Sequence, residues 1–276
     1  MSKLRLGISP CPNDTFIFDA LIHHKIDTKG LEFEVSYEDV ESLNQKAFQE
    51  QFDICKISYH AYLYLIETYQ LLHAGSALGK GVGPLLVAKQ EFSNTDLAKC
   101  RVAIPGKYTT ANFLFSIAYP EVKEKVEMEF SEIEEAVIQG RVDAGIIIHE
   151  GRFTYADSGL TKLMDLGDYW EKTTQDLIPL GGIAVQRNME ESLKQKINEV
   201  LKSSVEFAFA NRHSSKEFVK AHAQEMEEEV IRQHIDLYVN KYSLDLGEKG
   251  RKAIYRMQEE AARTHLIAEN NKPLFV

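Results

Sequence analysis

Asp143-Ala144-Gly145-Ile146-Ile147-Ile148-His149-Glu150 is an apolar run that stops abruptly on a histidine and a glutamate. An unbroken run of this kind predicts a strand covered on both faces, as in the parallel sheet of an α/β domain. Ligands of such sheets gather at the carboxyl ends of the strands. His149 therefore falls where chemistry is expected, and its ordinary pKa, close to neutrality, suits it to take or give a proton. The other reading of a lone histidine here is a hydrogen-bonded structural residue. Glu150 could orient the ring, but neighbouring residues of a strand point to opposite faces.

The same pattern repeats on either side. Leu4, Leu6 and Ile8 alternate with Arg5, Gly7 and Ser9 as a first strand. Ser9-Pro10-Cys11-Pro12-Asn13-Asp14 ends it, because two prolines cannot continue a central strand. Asn13 or Asp14 is then placed to cap a helix starting near Thr15. Alternation from Leu31 to Tyr37 predicts a second strand, and residues 53–57 a third, followed by a Tyr-rich helix from about Tyr59. Residues 75–84 are rich in glycine and precede the strand Leu85-Leu86-Val87-Ala88. Leu78-Gly79-Lys80-Gly81-Val82-Gly83 is no dinucleotide fingerprint, since it leads into a strand and not a helix; it reads as a flexible connection.

Further on, Arg101-Val102-Ala103-Ile104 is a strand, residues 105–110 a turn and residues 111–118 a helix. Residues 126–130 form a strand, and Ser131 with Glu134 makes a capping box for the next helix. Short strands follow at 163–166 and 182–185. Beyond Glu190 the periodicity is helical, with helices near 190–210, 215–222, 227–240 and 247–265, and the apolar Leu274-Phe275-Val276 is suited to dock back. No internal repeat is visible. The layout predicts two α/β lobes, the first from residues 1–88 plus 187–276 and the second from 89–186. A helical C-terminal part packs on the first lobe and a ligand cleft lies between the lobes.

Composition narrows the function. The 276 residues are 44% hydrophobic and 27% charged, as in ordinary soluble globular chains. With 42 acidic and 32 basic side chains the net charge is -10 and no basic stripe is present, which argues against nucleic acid as a partner. No stretch approaches membrane-spanning length, and the N-terminus lacks the apolar core of a leader peptide. Cys11, Cys55 and Cys100 are far apart and odd in number, which fits a reduced, intracellular compartment. Neither a Gly-x-Ser-x-Gly elbow nor a His-x-x-x-His metal pair occurs. Cys11, near a helix start, is a better placed thiol than Cys55, and both rank below His149. Oligomeric state is not encoded in any of these patterns.

Three turns could hold an anion. The loop 9–14 offers backbone N–H groups at a helix start, or simply a rigid turn. Lys56-Ile57-Ser58 ends a strand with a hydroxyl and free amides suited to a carboxylate, or with a helix cap. In Pro105-Gly106-Lys107-Tyr108-Thr109-Thr110-Ala111, Gly106 permits a sharp turn and Thr109 or Thr110 can cap the helix. The Gly-Lys-Ser/Thr ending of a phosphate loop is missing.

Ser9-Pro10-Cys11-Pro12-Asn13-Asp14-Thr15-Phe16, Lys56-Ile57-Ser58-Tyr59, Leu78-Gly79-Lys80-Gly81-Val82-Gly83-Pro84 and Ile148-His149-Glu150 with Arg152-Phe153-Thr154-Tyr155 together resemble the 1,4-dihydroxy-6-naphthoate synthase family. These are menaquinone-pathway enzymes of the futalosine route, and the resemblance runs to Lys272-Pro273-Leu274-Phe275-Val276. It implies a two-lobed type 2 periplasmic-binding-protein-like fold in a cytoplasmic enzyme. It further implies cleavage of cyclic dehypoxanthinylfutalosine, a small-molecule carboxylate, to 1,4-dihydroxy-6-naphthoate and dihydroxyacetone, with no metal or organic cofactor. Carried over by motif, His149 is the proton acceptor, and Lys56, Ile57, Ser58, Thr110 and Ala111 contact the substrate. Gly151 stands where some relatives are expected to have serine. The alternatives are the chorismate dehydratase of the same pathway and a solute-binding protein without chemistry.

Overall fold

The computed structural model describes residues 3–224 and 227–276. Contacts divide the chain into two units, residues 1–79 with 179–276 and residues 80–178. The strands, in chain order, are β1 (Leu4–Ile8), β2 (Phe33–Tyr37), β3 (Ile54–Ser58), β4 (Tyr69–Leu71), β5 (Ala77–Gly79), β6 (Leu85–Ala88), β7 (Val102–Ile104), β8 (Lys125–Glu127), β9 (Ala144–Ile147), β10 (Thr161–Asp165) and β11 (Ile178–Gln186). The first sheet runs β2-β1-β3-β11-β4, with β5 also on β11, and the second runs β10-β6-β9-β7-β8.

Read from its other end, the second sheet is β8-β7-β9-β6-β10, which has the topology of the first. In each, the strand in the second position, β1 or β7, is flanked by two parallel partners, and the fourth position holds an antiparallel strand. That strand is β11 in the first unit and β6 in the second. This moves the boundaries expected at 88/89 and 186/187. The run 85–88 pairs with β9 and β10, and the run 182–185 pairs with β3 and β4. A strand that leaves one lobe's sequence to join the other's sheet has no local signature, because only its pairing assigns it.

Burial follows the sequence pattern. β3 and β9 are buried at every residue; β9 is an unbroken apolar or small run, as a strand covered on both faces requires, whereas β3 carries Lys56 inside and pairs it with Asp14. The helical C-terminal part packs within the first unit. On the helix Glu191–Ala210, Ile197, Val200, Leu201, Val205 and Ala208 follow helical spacing and join Phe16, Ile17 and Leu21 in one core. The Ser204 hydroxyl donates to the Ile17 carbonyl at 2.6 Å and accepts from the Leu21 amide at 3.1 Å. Leu274–Val276 dock as expected: Leu71 N–H donates to the Leu274 carbonyl at 2.8 Å, and Val276 N–H donates to the Leu71 carbonyl at 3.1 Å. No helix among the described residues is long and apolar enough to cross a membrane.

The glycine-rich stretch 75–84 is more ordered than a flexible connection, since it contains β5. A Cβ at Gly83 would lie 2.3 Å from the Gly167 Cα and 2.4 Å from its nitrogen. Backbone cannot yield as a side-chain tip can. Gly83→Ala is therefore expected to destabilise the protein by about 1–3 kcal/mol, measured as a lower urea midpoint at unchanged slope.

Candidate active site

The catalytic and contact residues expected from sequence occupy equivalent places in the two units. In each sheet the chain order reverses between the second and third positions, β1/β3 in one and β7/β9 in the other. Crossovers on either side of such a switch point leave a crevice at the carboxyl ends of those two strands. Lys56, Ile57 and Ser58 end β3, and the loop 9–11 follows β1. Thr110 and Ala111 open the helix after β7, and His149 lies just past β9.

In the first unit the helix after β1 is Pro12–Ile22, with Cys11 as its N-cap. It starts three residues earlier than the sequence suggested, because proline at the first helical position loses no needed N–H and is already at helical φ. Asn13 and Asp14 thus lie inside the first turn and do not cap it. Instead Asp14, fully buried, accepts from the Ser9 hydroxyl at 2.8 Å and from the Lys56 ammonium at 2.6 Å. Lys56 is itself only 6% exposed, so the pair is a buried salt bridge. The Asn13 side-chain amide donates to the same carboxylate at 2.7 Å, which turns its carbonyl oxygen toward His234 Nε2 at 2.9 Å. A carbonyl oxygen only accepts, so Nε2 carries the hydrogen.

Ser58 starts the helix Tyr59–Tyr64 without a side-chain cap bond. Asn44 holds it on both sides: Ser58 N–H donates to Asn44 Oδ1 at 3.0 Å, and Asn44 Nδ2 donates to the Ser58 hydroxyl at 3.1 Å. Gly181 and Gly182 of β11 leave room for this end of β3. A Cβ on Gly182 would come within 2.7 Å of the Tyr59 hydroxyl, and one on Gly181 within 2.8 Å of the Ile57 carbonyl.

In the second unit Gly106 turns the chain at φ 134°, a conformation that side chains rarely allow. Thr109 caps the helix Thr110–Ala118, its hydroxyl accepting from Asn112 N–H at 3.3 Å. Thr110 and Ala111 form the buried first turn of that helix. On the neighbouring strand, β9 stops at Ile147, so His149 is in a turn and not on the strand. Its φ of 55° is left-handed, and its ring lies 4.8 Å from that of Phe130. Non-glycine residues in this region carry strain that surrounding structure must support, and such residues concentrate at functional sites. Because the backbone turns here, alternation of faces no longer separates His149 from Glu150. The expected Ser131–Glu134 capping box is absent. A 3₁₀ turn, Phe130–Glu132, comes first, and the helix Ile133–Ile138 starts from Glu132 without a side-chain cap.

Sequence reading gave Asn13 and Asp14 only a capping or loop role and missed His234. A signal for the last was present: Ile231, His234, Ile235 and Tyr238 share the buried face of the helix Glu228–Tyr238, and a histidine on an apolar stripe needs a partner. Cys55 is fully buried with its thiol pushed far up by desolvation, so it is no thiolate nucleophile.

The family described as menaquinone biosynthesis matches residues 4–263. The chain is 44% identical, over all 276 residues and all of the relative, to a 1,4-dihydroxy-6-naphthoate synthase from Thermus thermophilus. It is 40% identical, over 96% of its length and 94% of the relative, to one from Streptomyces coelicolor. The crystal structure of a protein from Archaeoglobus fulgidus superposes with a TM-score of 0.91 at 38% identity, over 96% of this chain and 98% of that one. A Candida albicans protein, described as having the generic periplasmic binding protein fold, matches at a TM-score of 0.65. Its identity is 13%, over 98% of this chain and 92% of its own, which bears out the expected fold and nothing more.

Proposed function

The chain belongs to the menaquinone-biosynthesis family and is an enzyme of it, and we propose that it converts cyclic dehypoxanthinylfutalosine to 1,4-dihydroxy-6-naphthoate and dihydroxyacetone as a cytoplasmic carbon–carbon lyase. His149 is the general base. The substrate is one aromatisation short of a naphthalene diol. Removing a proton beside its carbonyl lets the sugar-derived fragment leave by C–C cleavage, and aromatisation of the ring drives the step. One placed base contributes about 10²–10⁴-fold to such a reaction.

The observation that carries this reading is the shared address of the residues. His149, Thr110 and Ala111 of one unit, and Lys56, Ile57 and Ser58 of the other, each lie at the carboxyl ends of strands flanking the topological switch point of their own sheet. Thr110 and Ala111 offer hydrogen-bond donors at a helix start, where a carboxylate is favoured. Lys56 has three N–H donors, of which Asp14 takes one, so it can hold a polar oxygen while staying paired.

The test is to incubate the purified protein with cyclic dehypoxanthinylfutalosine and follow naphthoate and dihydroxyacetone by mass spectrometry. Stoichiometric formation of both is expected. Turnover of chorismate in its place would make the chain a dehydratase of the same pathway. Tight binding without either product would reduce it to a solute-binding protein.

A further inference from the structure

We propose that Arg152 is a positioning residue for His149, clamping the turn that carries it to two other segments of the second unit. The proposal rests on the reading of His149 as the base. After His149 the chain makes a helix of only four residues, Gly151–Thr154. A single turn does not hold itself in water. Its own backbone bonds, Phe153 N–H to the Glu150 carbonyl at 2.8 Å and Tyr155 N–H to the Gly151 carbonyl at 3.0 Å, tie it only to itself. The Phe130 ring packs against the imidazole, and the Glu134 carboxylate lies where a Cβ on Gly151 would come within 2.5 Å of it.

Arg152 supplies directional anchoring to two other segments. One arm of its guanidinium, Nη2, donates to Asp165 Oδ2 at 2.8 Å, and the other, Nη1, donates to the Gly83 carbonyl. The two acceptors belong to different segments that are themselves locked together. Asp165 ends β10, and its other oxygen caps the following helix by accepting from Gly167 N–H at 2.9 Å and Asp168 N–H at 3.1 Å. Gly83 lies directly against the Gly167 backbone. The clamp therefore joins the turn after β9, the entry to β6 and the end of β10, whose strands are neighbours in the sheet. The side chains of Arg152 and Asp165 are 17% and 18% exposed, so the pair is shielded well beyond an ordinary surface ion pair. A planar fork can serve a carbonyl and a carboxylate at once with fixed geometry, which an ammonium point charge does not reproduce. Two motifs outside the expected substrate contacts, Gly81-Val82-Gly83-Pro84 and Arg152-Phe153-Thr154-Tyr155, are thereby joined through Gly83 and Arg152.

The experiment compares wild type, Arg152→Ala and Arg152→Lys by steady-state kinetics and by hydrogen exchange of the peptide covering residues 146–155. In Arg152→Ala, kcat should fall by roughly 10–100-fold with KM within about threefold, since displacing a reacting group by an ångström costs on that order. Millimolar guanidinium should restore part of kcat, and Arg152→Lys should resemble Arg152→Ala. Exchange at 148–155 should quicken by about tenfold or more while the helix Thr110–Ala118 keeps its protection. Unchanged exchange at 148–155 overturns the clamp whatever the activity. Full activity in Arg152→Ala, or recovery by lysine, overturns the positioning role. Absence of naphthoate with wild type would count against the proposed reaction alone, since the exchange comparison needs no turnover.

Discussion

His149→Asn is expected to lower kcat by about 10²–10⁴-fold while leaving substrate Kd within about threefold, the signature of losing a group that acts in the transition state. Asparagine is the informative replacement because of the backbone. At φ 55° most side chains pay about 1–2 kcal/mol, whereas asparagine tolerates the left-handed region. His149→Asn thus removes the base and spares the turn. His149→Ala removes the base and adds strain, so it should match the asparagine variant in kcat yet unfold at lower urea. Single-turnover rates and direct binding titration measure the two effects separately. Near-normal kcat in the asparagine variant would end the case for His149 as base.

The second large effect is on stability, at the other switch point. Asp14→Ala is expected to cost about 3–5 kcal/mol, because it leaves the Lys56 ammonium in a site where it is only 6% exposed. It also strips the Ser9 hydroxyl and the Asn13 amide of their shared acceptor. Adding Lys56→Met to the Asp14 variant should recover much of the loss, since a buried pair without either charge no longer carries the penalty. The double variant should remain poorly active, because the ammonium proposed to meet the substrate is gone. Urea unfolding and kcat/KM on the same preparations separate these outcomes. A loss under about 1 kcal/mol for Asp14→Ala would mean that water reaches Lys56 and that the network is not closed.

The legible parts of this chain share a physical origin. The strand before His149 could be read because a strand covered on both faces must be apolar throughout, and β9 is buried at every residue. The C-terminal helices were readable to within a few residues because their apolar positions recur at 3.6-residue spacing over long stretches. The expected 190–210 is observed as Glu191–Ala210, and the expected 247–265 as Gly247–Arg263. Errors fell where local chemistry offered two solutions. Pro12 could end a strand or open a helix, and it opens one. Ser131 and Glu134 had capping-box spacing, but a 3₁₀ turn took the first residues.

By itself the sequence determined the α/β class, the apolar strand that delivers His149, the turns at Lys56–Ser58 and Thr109–Ala111, and the family resemblance. All of these reside in contiguous residues whose periodicity or motif is local. Only the tertiary structure decided which sheet takes β6 and β11, and hence that the two units share one topology. It alone brought together residues as distant as Asn13, Lys56 and His234, and Gly83, Arg152 and Asp165. Strand pairing and buried polar networks are satisfied by partners far along the chain, and no periodicity within a segment records who that partner is.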